Sequence, residues 1–413
     1  MTSVPLTSPI LVRSDSGSRV FKGVPVAARA MLKIASSIEF GSLDITLPDN
    51  RTFRIEGFQP GPHGELHIHD YAAITRVLKA SDVGFGEAFM AGEWSSPDVT
   101  LLLEVMVRNH HTIMRRARGN PIARLILRFR HWLNRNTPSG SKRNISAHYD
   151  LGNAFYEKWL DSSMTYSSAY FGGDSEDLTA AQTNKYRKLA EDVRIGAGDK
   201  VLEIGCGWGG FAEFAAREFG CSVTGLTISR EQYDFARKRI HEAGLNDKVT
   251  IKFQDYRHET GQYDRIVSIE MFEAVGEKYW PVFFDKMRNC LKDDGIAGLQ
   301  VIAIQDRMFE AYRTKPDFIQ RYIFPGGMLP TPSIMRDLGE KVGMSLTDQT
   351  IFGLDYARTL SEWRERFDGN WPAIKPLGFD ERFKKLWQFY LHYCEAGFRA
   401  GNIDVRHMIF ARR

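Results

Sequence analysis

Cysteine is scarce in this 413-residue chain, which contains Cys206, Cys221, Cys290 and Cys394 and no Cys-x-x-Cys pair. This scatter argues against a disulfide framework and a structural zinc site, and it is typical of a protein of the reducing cytoplasm. The sequence also has no apolar run long enough to cross a bilayer, and its first residues lack the charged and then apolar layout of a secretory signal. Because 43% of the residues are apolar, the chain can bury the cores of about two domains.

Acidic residues are missing from one long segment, between Val105 and Tyr149. The basic residues of this segment are Arg108, Arg115, Arg116, Arg118, Arg124, Arg128, Arg130, Arg135, Lys142 and Arg143. Although the net charge of the chain is only +4, such a local excess favours an anionic membrane surface or a nucleic acid as partner. No base-stacking or groove-reading pattern accompanies it, so we expect a membrane surface and no nucleic acid.

Composition and apolar periodicity divide the chain into four segments. Residues 1–20, rich in Ser, Thr and Pro, are predicted to be a flexible leader. Residues 21–135 are predicted to form an α+β domain associated with lipid or membrane, residues 136–143 a polar linker, and residues 144–413 a larger α/β domain. In the first domain the periodicity predicts helices at 24–38, 73–78, 84–91 and after Asp98, and strands at 43–47, 52–55 and 66–70.

Two features of the first domain each allow two interpretations. Residues 113–133 place apolar side chains along one side of a predicted helix and arginines around the rest. Such a helix can lie on lipid headgroups or can pack against the domain with its arginines solvated, and the residues alone leave both open. His67 and His69 share one face of a predicted strand, but no third ligand is near, so we expect outward-facing polar residues and no metal site.

The second domain alternates between strand and helix patterns. Short apolar runs predict strands at 200–204, 222–227, 249–253, 263–269, 296–302 and 404–412, separated by helices near 209–219, 229–244 and 279–292. This alternation is typical of a doubly wound parallel sheet. Residues 305–332 are too many for a routine connection and are a candidate lid or substrate wall.

A glycine-rich turn joins the first strand of this sheet to a helix. Its glycines are Gly205, Gly207, Gly209 and Gly210. Such a turn presents backbone N–H groups and a helix N-terminus to a nucleotide-like ligand. The spacing is G-x-G-x-G-G rather than G-x-G-x-x-G, and no carboxylate follows the second strand. Both observations argue against an NAD-dependent oxidoreductase.

Glu203 completes the pattern Glu-x-Gly-x-Gly, which resembles the S-adenosylmethionine turn of Rossmann-like methyltransferases. The ends of the next two strands support this resemblance. Thr227 and Gln232 lie where such enzymes usually hold the ribose with a carboxylate, and Asp255 and Tyr256 lie where an acid–aromatic pair holds adenine. A methyltransferase acting on a small molecule would share these features.

Longer motifs resemble the cyclopropane-fatty-acyl-phospholipid synthase family, which includes the mycolic acid cyclopropane synthases. The motifs are His148-Tyr-Asp-Leu-Gly-Asn153, Met164-Thr-Tyr-Ser-Ser-Ala-Tyr-Phe171, residues 182–189, residues 201–210, Asp264-Arg-Ile-Val-Ser-Ile-Glu-Met-Phe-Glu273, Tyr322-Ile-Phe-Pro325 and Asp355-Tyr-Ala-Arg-Thr-Leu360. The resemblance implies an α/β, class I methyltransferase fold preceded by the smaller domain of the phospholipid-acting branch. It further implies methyl transfer from S-adenosylmethionine to a cis double bond of an unsaturated phospholipid in an anionic membrane, giving a cyclopropane fatty acid. The protein is then expected to be a cytoplasmic homodimer, peripherally associated with the inner face of the membrane.

The resemblance also assigns site residues. Those expected to bind S-adenosylmethionine are Tyr149, Tyr166, Ser167, Glu203, Gly205, Gly207, Thr227, Gln232, Asp255 and Tyr256. In the family the base is a bound bicarbonate, and Glu273, Tyr356 and the backbone at Ile302 match its site. Two positions depart from the family pattern, since Ser168 stands where the family has Cys and Gln300 where it has His. Glu270 is expected only to line the cofactor side or to cap a turn.

Gln300 leaves the product open, because an amide can donate a hydrogen bond to an anion but cannot carry a positive charge or relay a proton. Weak bicarbonate binding would let the carbocation resolve by another route. Cyclopropane formation is therefore the first hypothesis, a methyl- or methylene-branched chain the second, and a non-catalytic lipid-binding relative the third. Aromatic side chains that could stabilise the cation are Tyr166, Tyr170, Phe171, Phe272, Tyr322, Phe324 and Tyr356.

Overall fold

The computed structural model describes residues 8–13, 16–119, 151–173 and 176–412. These residues form two compact units. The first contains the residues up to 119 together with Asp317–Ile323 and Phe379–Asn402, and the second contains the rest. The predicted linker at 136–143 lies outside the described residues. Placing all of 144–413 in one domain is wrong, because two of its segments belong to the first unit.

The first unit is built on a five-stranded sheet in the order β1-β3-β2-β4-β5. Its strands are β1 (Ile10–Val12), β2 (Phe40–Thr46), β3 (Thr52–Glu56), β4 (Gln59–Ile68) and β5 (Trp94–Ser95). Its α-helices are Val26–Ala35, Ala72–Met90, Val99–Arg108, His110–Gly119, Phe318–Tyr322 and Glu381–Arg399. Since β1 pairs in parallel with β3, part of the predicted leader is a strand of this sheet rather than flexible.

Aromatic packing explains why the later segments join the first unit. Trp94 is buried, donates its indole N–H to the Phe85 carbonyl at 2.9 Å, and stacks on the Phe85 ring at 4.2 Å. Phe389 packs edge-on against Phe85 at 6.3 Å and against Phe318 at 4.6 Å. A Cβ at Gly86 would lie 2.4 Å from the Phe318 ring, so only glycine allows this approach. Burying such rings contributes more than the local pattern of either segment indicates.

The second unit contains a seven-stranded sheet in the order β11-β12-β10-β9-β6-β7-β8. Its strands are β6 (Lys200–Ile204), β7 (Ser222–Thr227), β8 (Val249–Phe253), β9 (Tyr263–Ile269), β10 (Leu291–Ile304), β11 (Met344–Ile351) and β12 (Ile403–Arg412). The strands β6 to β10 run parallel, as predicted, but β12 pairs antiparallel with β10 and β11 antiparallel with β12. The edge strand β11 was not predicted, because its sequence alternates weakly and is largely polar.

Helices connect these strands. The α-helices of the second unit are Asn153–Tyr156, Leu178–Asp192, Gly210–Phe219, Arg230–Glu242, Phe272–Val275, Trp280–Cys290, Asp306–Arg313, Pro332–Lys341, Gly353–Gly369 and Trp371–Ile374. Within the described ranges, no helix combines the length and apolarity that crossing a membrane requires.

The strand order places a switch point beside β6. From β6 the chain proceeds to β7 and β8 on one side, and it returns through β9 and β10 on the other. In open α/β sheets, ligands bind outside the carboxyl ends of the strands at such a point. The glycine turn follows β6 and Glu270 follows β9, and Gln300 in β10 pairs with Ile269 at the end of β9, so the sheet brings them to one edge.

Candidate active site

The glycine turn adopts a backbone that other residues seldom accept. Gly205, Gly207 and Gly209 have φ values of 82°, 50° and 82°. A Cβ at Gly205 would lie 2.6 Å from Cγ of Met271, so this position requires glycine for space as well as for conformation. The helix Gly210–Phe219 then begins, with its N-terminus at the carboxyl edge of the sheet.

Glu203 lies in β6 just before this turn and is 2% exposed. Its Oε2 atom is buried and has no hydrogen-bond partner among the described residues. Burial raises the pKa of Glu203 to about 8, although the charges of Lys185 and Arg239 oppose that rise. A buried carboxylate oxygen left without a donor is the environment that a cationic ligand would complete.

The next two strand ends carry the other residues expected to hold the cofactor. Thr227 donates its hydroxyl to Oε1 of Gln232 at 2.9 Å. The carboxylate of Asp255 accepts from the Arg257 side chain at 2.6 Å and 2.9 Å, and this contact lowers its pKa. Tyr256 packs edge-on against the core residue Phe283.

Ser167 and Tyr166 lie in the loop that precedes the helix Leu178–Asp192. The hydroxyl of Ser167 accepts from the buried Lys185 ammonium at 2.6 Å, and burial lowers the pKa of Lys185 to about 7. Tyr166 packs against Trp363 at 5.3 Å. The glycine backbone, the unpaired Glu203 oxygen and these polar strand ends fit S-adenosylmethionine, which combines a cationic sulfonium with a nucleoside. Tyr149, expected in the same site, lies outside the described residues.

Glu270 is the centre of a second group of side chains. Its Oε1 atom accepts from the Ser168 backbone N–H at 2.8 Å and from the Gln300 amide at 2.8 Å. Its Oε2 atom accepts from the Tyr356 hydroxyl at 2.7 Å. The expectation that Glu270 only lines the cofactor side or caps a turn is therefore wrong, because the structure brings three of the predicted site residues to its carboxylate.

The Gln300 amide has a defined orientation. Its nitrogen faces the Glu270 carboxylate and, at 3.3 Å, the Ser168 carbonyl, both of which only accept hydrogen bonds. Its oxygen faces Nε2 of the buried His407 at 3.0 Å, so that nitrogen carries the proton and donates. His407 Nδ1 lies 3.5 Å from the carboxylate of Asp192. A histidine on β12 thus orients the glutamine on β10.

Glu273 is bonded differently from Glu270. Its Oε1 atom accepts from the Ile302 backbone N–H at 2.5 Å, and its buried Oε2 atom has no partner among the described residues. Burial, and then the charge of Glu270, raise the pKa of Glu273 to about 8. Among the described residues Glu270 has three donors and Glu273 has one, so hydrogen bonding favours the ionised form more strongly at Glu270 than at Glu273.

These contacts bear on the expected bicarbonate. The groups assigned to its site were Glu273, Ser168, Gln300, Tyr356 and the backbone at Ile302. The last four each donate to a carboxylate of the protein itself. The described residues therefore do not fit a bound bicarbonate in this arrangement. Their hydrogen bonds go instead to the carboxyl groups of Glu270 and Glu273.

The aromatic side chains expected near the cation divide into two groups. Tyr166, Phe324, Tyr356 and Trp363 form a continuous wall, with centroid distances of 5.3 Å to 6.4 Å between successive rings. The other four aromatic residues make contacts elsewhere. Phe272 packs in the core against Trp280, and Tyr170 packs against Phe352. Phe171 lies under Arg358, whereas Tyr322 belongs to the first unit and donates to Glu87. Trp363, which is fully buried, was not predicted.

The described histidines His67 and His69 of the first unit make ordinary polar contacts. His69 contacts the Ser95 hydroxyl at 2.7 Å and His67 lies 3.6 Å from Glu65. Over the described ranges, no group of three or more His, Cys, Asp or Glu is arranged to hold a metal ion. Arg108 pairs with Glu104 at 2.7 Å, whereas Arg124, Arg128 and Arg130 lie outside the described residues.

The fold and the glycine turn define a class I, S-adenosylmethionine-dependent methyltransferase. A family model described as mycolic acid cyclopropane synthetase matches residues 137–408, which is more than half of the chain. The chain belongs to this family. Oxidoreductase chemistry and a non-catalytic lipid-binding role are thereby set aside, and the class of reaction is methyl transfer of the kind that methylates fatty acyl chains.

Relatives and solved structures agree with this assignment. The chain is 38% identical over 360 residues to tuberculostearic acid methyltransferase UfaA1 of Mycobacterium tuberculosis, covering 82% of this chain and 81% of that protein. It is 33% identical over 386 residues to cyclopropane-fatty-acyl-phospholipid synthase of Escherichia coli K12, covering 89% and 96%. The structure of the cyclopropane synthase MmaA2 from Mycobacterium tuberculosis superposes with a TM-score of 0.61 at 29% identity, over 67% of this chain and 100% of that one.

Sequence reasoning missed the central position of Glu270 and the role of His407 behind Gln300. The signal for Glu270 was its place directly after the predicted strand 263–269, at the edge where ligands bind. His407 gave no local signal, because its relation to Gln300 depends on the antiparallel pairing of β12 with β10.

Proposed function

We propose that this enzyme transfers a methyl group from S-adenosylmethionine to the cis double bond of an unsaturated fatty acyl chain in a membrane phospholipid. The proposal rests on the position of Tyr356, which connects the aromatic wall to a carboxylate. Its ring packs against Trp363, and its hydroxyl donates to Glu270. An alkene that accepts a methyl group becomes a carbocation. Such a cation needs ring faces that stabilise it without reacting and a base that removes a proton.

The residues of the second unit divide this work between them. S-adenosylmethionine, when bound, supplies an electrophilic methyl group whose bond to sulfur breaks as sulfur keeps the electron pair. Glu203 and the glycine turn hold and orient the cationic donor. Trp363 and Tyr166 exclude water from the weakly nucleophilic alkene and hold it close enough to react.

Two products are compatible with this methyl transfer. Immediate loss of a proton from the transferred methyl group closes a cyclopropane ring. A hydride shift between the former alkene carbons first moves the cation to the methylated carbon, and proton loss then leaves a methylene branch. In both cases the hydrogen is lost from the transferred methyl group, so the relative rates of shift and proton removal decide the product.

The network at Glu270 favours the methylene branch. Three donors occupy this carboxylate, and Gln300 cannot accept a proton in place of a histidine. Without a histidine to relay the proton, proton removal is slower, which gives the hydride shift time to occur. The similarity to a tuberculostearic acid methyltransferase supports this product, and the similarity to a cyclopropane-fatty-acyl-phospholipid synthase supports the ring as the second candidate.

The phospholipid substrate requires contact with a membrane surface. The acid-free segment between Val105 and Tyr149 supports this part of the proposal by its charge alone. Binding to anionic vesicles should weaken as salt is raised and when Arg124, Arg128 and Arg130 are changed to Glu. Vesicle pelleting that responds to neither change would remove this segment from the proposal.

The test of the proposed function uses S-adenosylmethionine with a ¹³C-labelled methyl group and phosphatidylglycerol vesicles with cis-monounsaturated chains. Mass spectrometry of the extracted lipid should show one labelled carbon per acyl chain. Proton NMR should show olefinic methylene signals for a branch, or high-field signals for a cyclopropane. Vesicles with saturated chains are the matched control. Label in no acyl chain, or equal label in saturated chains, would contradict the proposal.

A further inference from the structure

Glu270 occupies a strained position directly after β9. Its φ of 49° lies in the left-handed region, which few non-glycine residues adopt. Its backbone N–H donates to the Gln300 carbonyl at 2.8 Å, which fixes the chain there. Such strain persists where the surrounding structure enforces it, often because a side chain must be placed in a site. Here the strained residue places a carboxylate among three donors.

The donors leave one acceptor position on the carboxylate. A carboxylate has about four lone-pair sites, and two on Oε1 are used by Ser168 and Gln300. One site on Oε2 is used by Tyr356, and no other donor among the described residues occupies the second site of this oxygen. Glu270 as a whole residue is partly exposed, whereas its donors Ser168 and Gln300 are buried.

The charges around Glu270 favour its ionised form over that of Glu273. Burial raises the pKa of Glu270, but the bonds from Tyr356 and Ser168 and the charge of the buried Lys185 oppose that rise. Glu273 has one donor among the described residues and lacks this support. Of these two carboxyl groups, Glu270 is therefore the one whose negative charge the surrounding residues stabilise more.

We propose that Glu270 is the catalytic base, and that its carboxylate occupies the place in which the family resemblance puts a bicarbonate. This inference rests on the proposed function. Oε2 of Glu270 takes a proton from the methyl group that has been transferred to the acyl chain. The electrons of the broken C–H bond form the ring bond or the methylene double bond, and the cation is neutralised. Glu270 is left as a neutral acid, and it returns the proton to solvent after the product leaves.

The catalytic test compares Glu270→Gln and Glu270→Gly with the wild-type enzyme in buffers with and without bicarbonate. Glu270→Gln keeps the shape but cannot accept the proton, so labelled product should fall by about 100-fold or more while S-adenosylmethionine affinity is unchanged. Glu270→Gly suits the left-handed backbone and vacates the anion position. Its activity should be low without bicarbonate and should rise about tenfold or more when bicarbonate or formate is added. Wild-type activity should not depend on bicarbonate.

A binding test gives an answer even if the acyl substrate differs from the one proposed. In Glu270→Gly the donors Ser168, Gln300 and Tyr356 are released, so the variant should bind ¹³C-bicarbonate, seen as broadening of its NMR signal. The wild-type enzyme should not bind it. Glu242→Gly, the same change on an exposed residue at the end of a helix, is the matched control and should behave as wild type.

Three results would overturn the inference: activity of Glu270→Gln within about threefold of wild type, dependence of the wild-type enzyme on bicarbonate, or no binding of either anion by Glu270→Gly. Thermal unfolding of both variants separates loss of the base from loss of the fold, and Glu270→Gln keeps the inference testable if Glu270→Gly is unstable. Failure of wild-type methyl transfer to acyl chains would instead count against the proposed function, because the anion-binding test does not use a lipid.

Discussion

The cofactor side and the acceptor side of this site share one sheet edge but are built in different ways. The cofactor side is dominated by one continuous stretch, residues 200–210, in which strand, turn and helix follow each other. The acceptor side is assembled from Ser168, Glu270, Gln300 and Tyr356, which lie in four separate parts of the chain. The binding of the methyl donor is thus encoded locally, whereas the fate of the acceptor depends on tertiary contacts.

The two sides also treat a buried carboxylate in opposite ways. Glu203 has an oxygen without a partner among the described residues, and its carboxylate can be completed by a cationic ligand. Glu270 is already bonded by three donors of the protein, which stabilise its own negative charge. One side is therefore prepared for a positively charged molecule, and the other retains an anion next to the aromatic wall where a cation would form.

The largest effect is expected from Gly205→Ala, which should disrupt the cofactor side. The added Cβ would lie 2.6 Å from Cγ of Met271 on a backbone with φ of 82°. The turn must move to relieve this contact, and S-adenosylmethionine affinity should fall by about 100-fold, or about 2.7 kcal/mol. Isothermal titration calorimetry measures the change.

Gly244→Ala is the matched control for this variant. Gly244 also has a positive φ, 68°, but an added Cβ would meet no atom within 4 Å. The control therefore carries the backbone strain without the clash and should bind S-adenosylmethionine like wild type. Affinity of Gly205→Ala within about threefold of wild type would show that the turn is not the cofactor site.

Much of the fold and of the cofactor side could be predicted from the sequence. Four parallel strands, β6 to β9, have the predicted bounds, because buried strands appear as short apolar runs between turns. The glycine turn could be recognised because its conformation requires glycine at particular positions. The antiparallel β11 and the transfer of Phe379–Asn402 to the first unit could not, since both depend on packing between distant segments.

The acceptor side shows the limit of the same reasoning. Glu273 and Tyr356 were found through the family resemblance, but the role of Glu270 was misjudged. The sequence shows that Glu270 and Glu273 follow a strand end, but it does not show which of the two carboxylates accepts the hydrogen bonds. That depends on where Ser168 and Gln300 are brought by the fold, and on the strained φ that turns Glu270 toward them.

The second prediction concerns the pH dependence of stability. Burial raises the pKa of Glu273 from its ordinary value of 4.5 to about 8. The folded protein therefore holds this proton more tightly than the unfolded chain. The resulting stability is fully present below the unfolded pKa and is lost as pH rises through about 8. Glu273→Gln removes this dependence, so its melting temperature should fall less than that of wild type between about pH 6 and pH 9, by at least about 3 °C.

Glu203→Gln is a second variant for the same measurement, because burial also raises the pKa of Glu203 to about 8. Both variants should flatten the alkaline decline in melting temperature. Only Glu203→Gln should also lower the affinity for S-adenosylmethionine, by about tenfold. The reason is that Glu203 lies on the cofactor side and has an oxygen without a donor among the described residues. Equal loss of cofactor affinity in both variants would contradict the separation of the two sides.

The smallest effect is expected from Thr227→Val at the end of β7. Valine keeps the shape of threonine but removes the hydroxyl that donates to Gln232 at 2.9 Å, so the amide of Gln232 loses the contact that orients it. We expect S-adenosylmethionine to bind about fivefold more weakly, because one hydrogen bond contributes about 1 kcal/mol.

Calorimetry measures that affinity, and kcat at saturating S-adenosylmethionine tests where the residue acts. Thr250→Val, the same change at an exposed position of β8, is the control and should alter neither quantity. If Thr227 serves only the cofactor side, saturation restores the wild-type kcat and leaves the product unchanged. A lower kcat at saturation, or a different ratio of branched to cyclopropane product, would mean that the end of β7 also influences the acceptor. The division of the sheet edge into a locally encoded donor site and a tertiary acceptor site would then have to be abandoned.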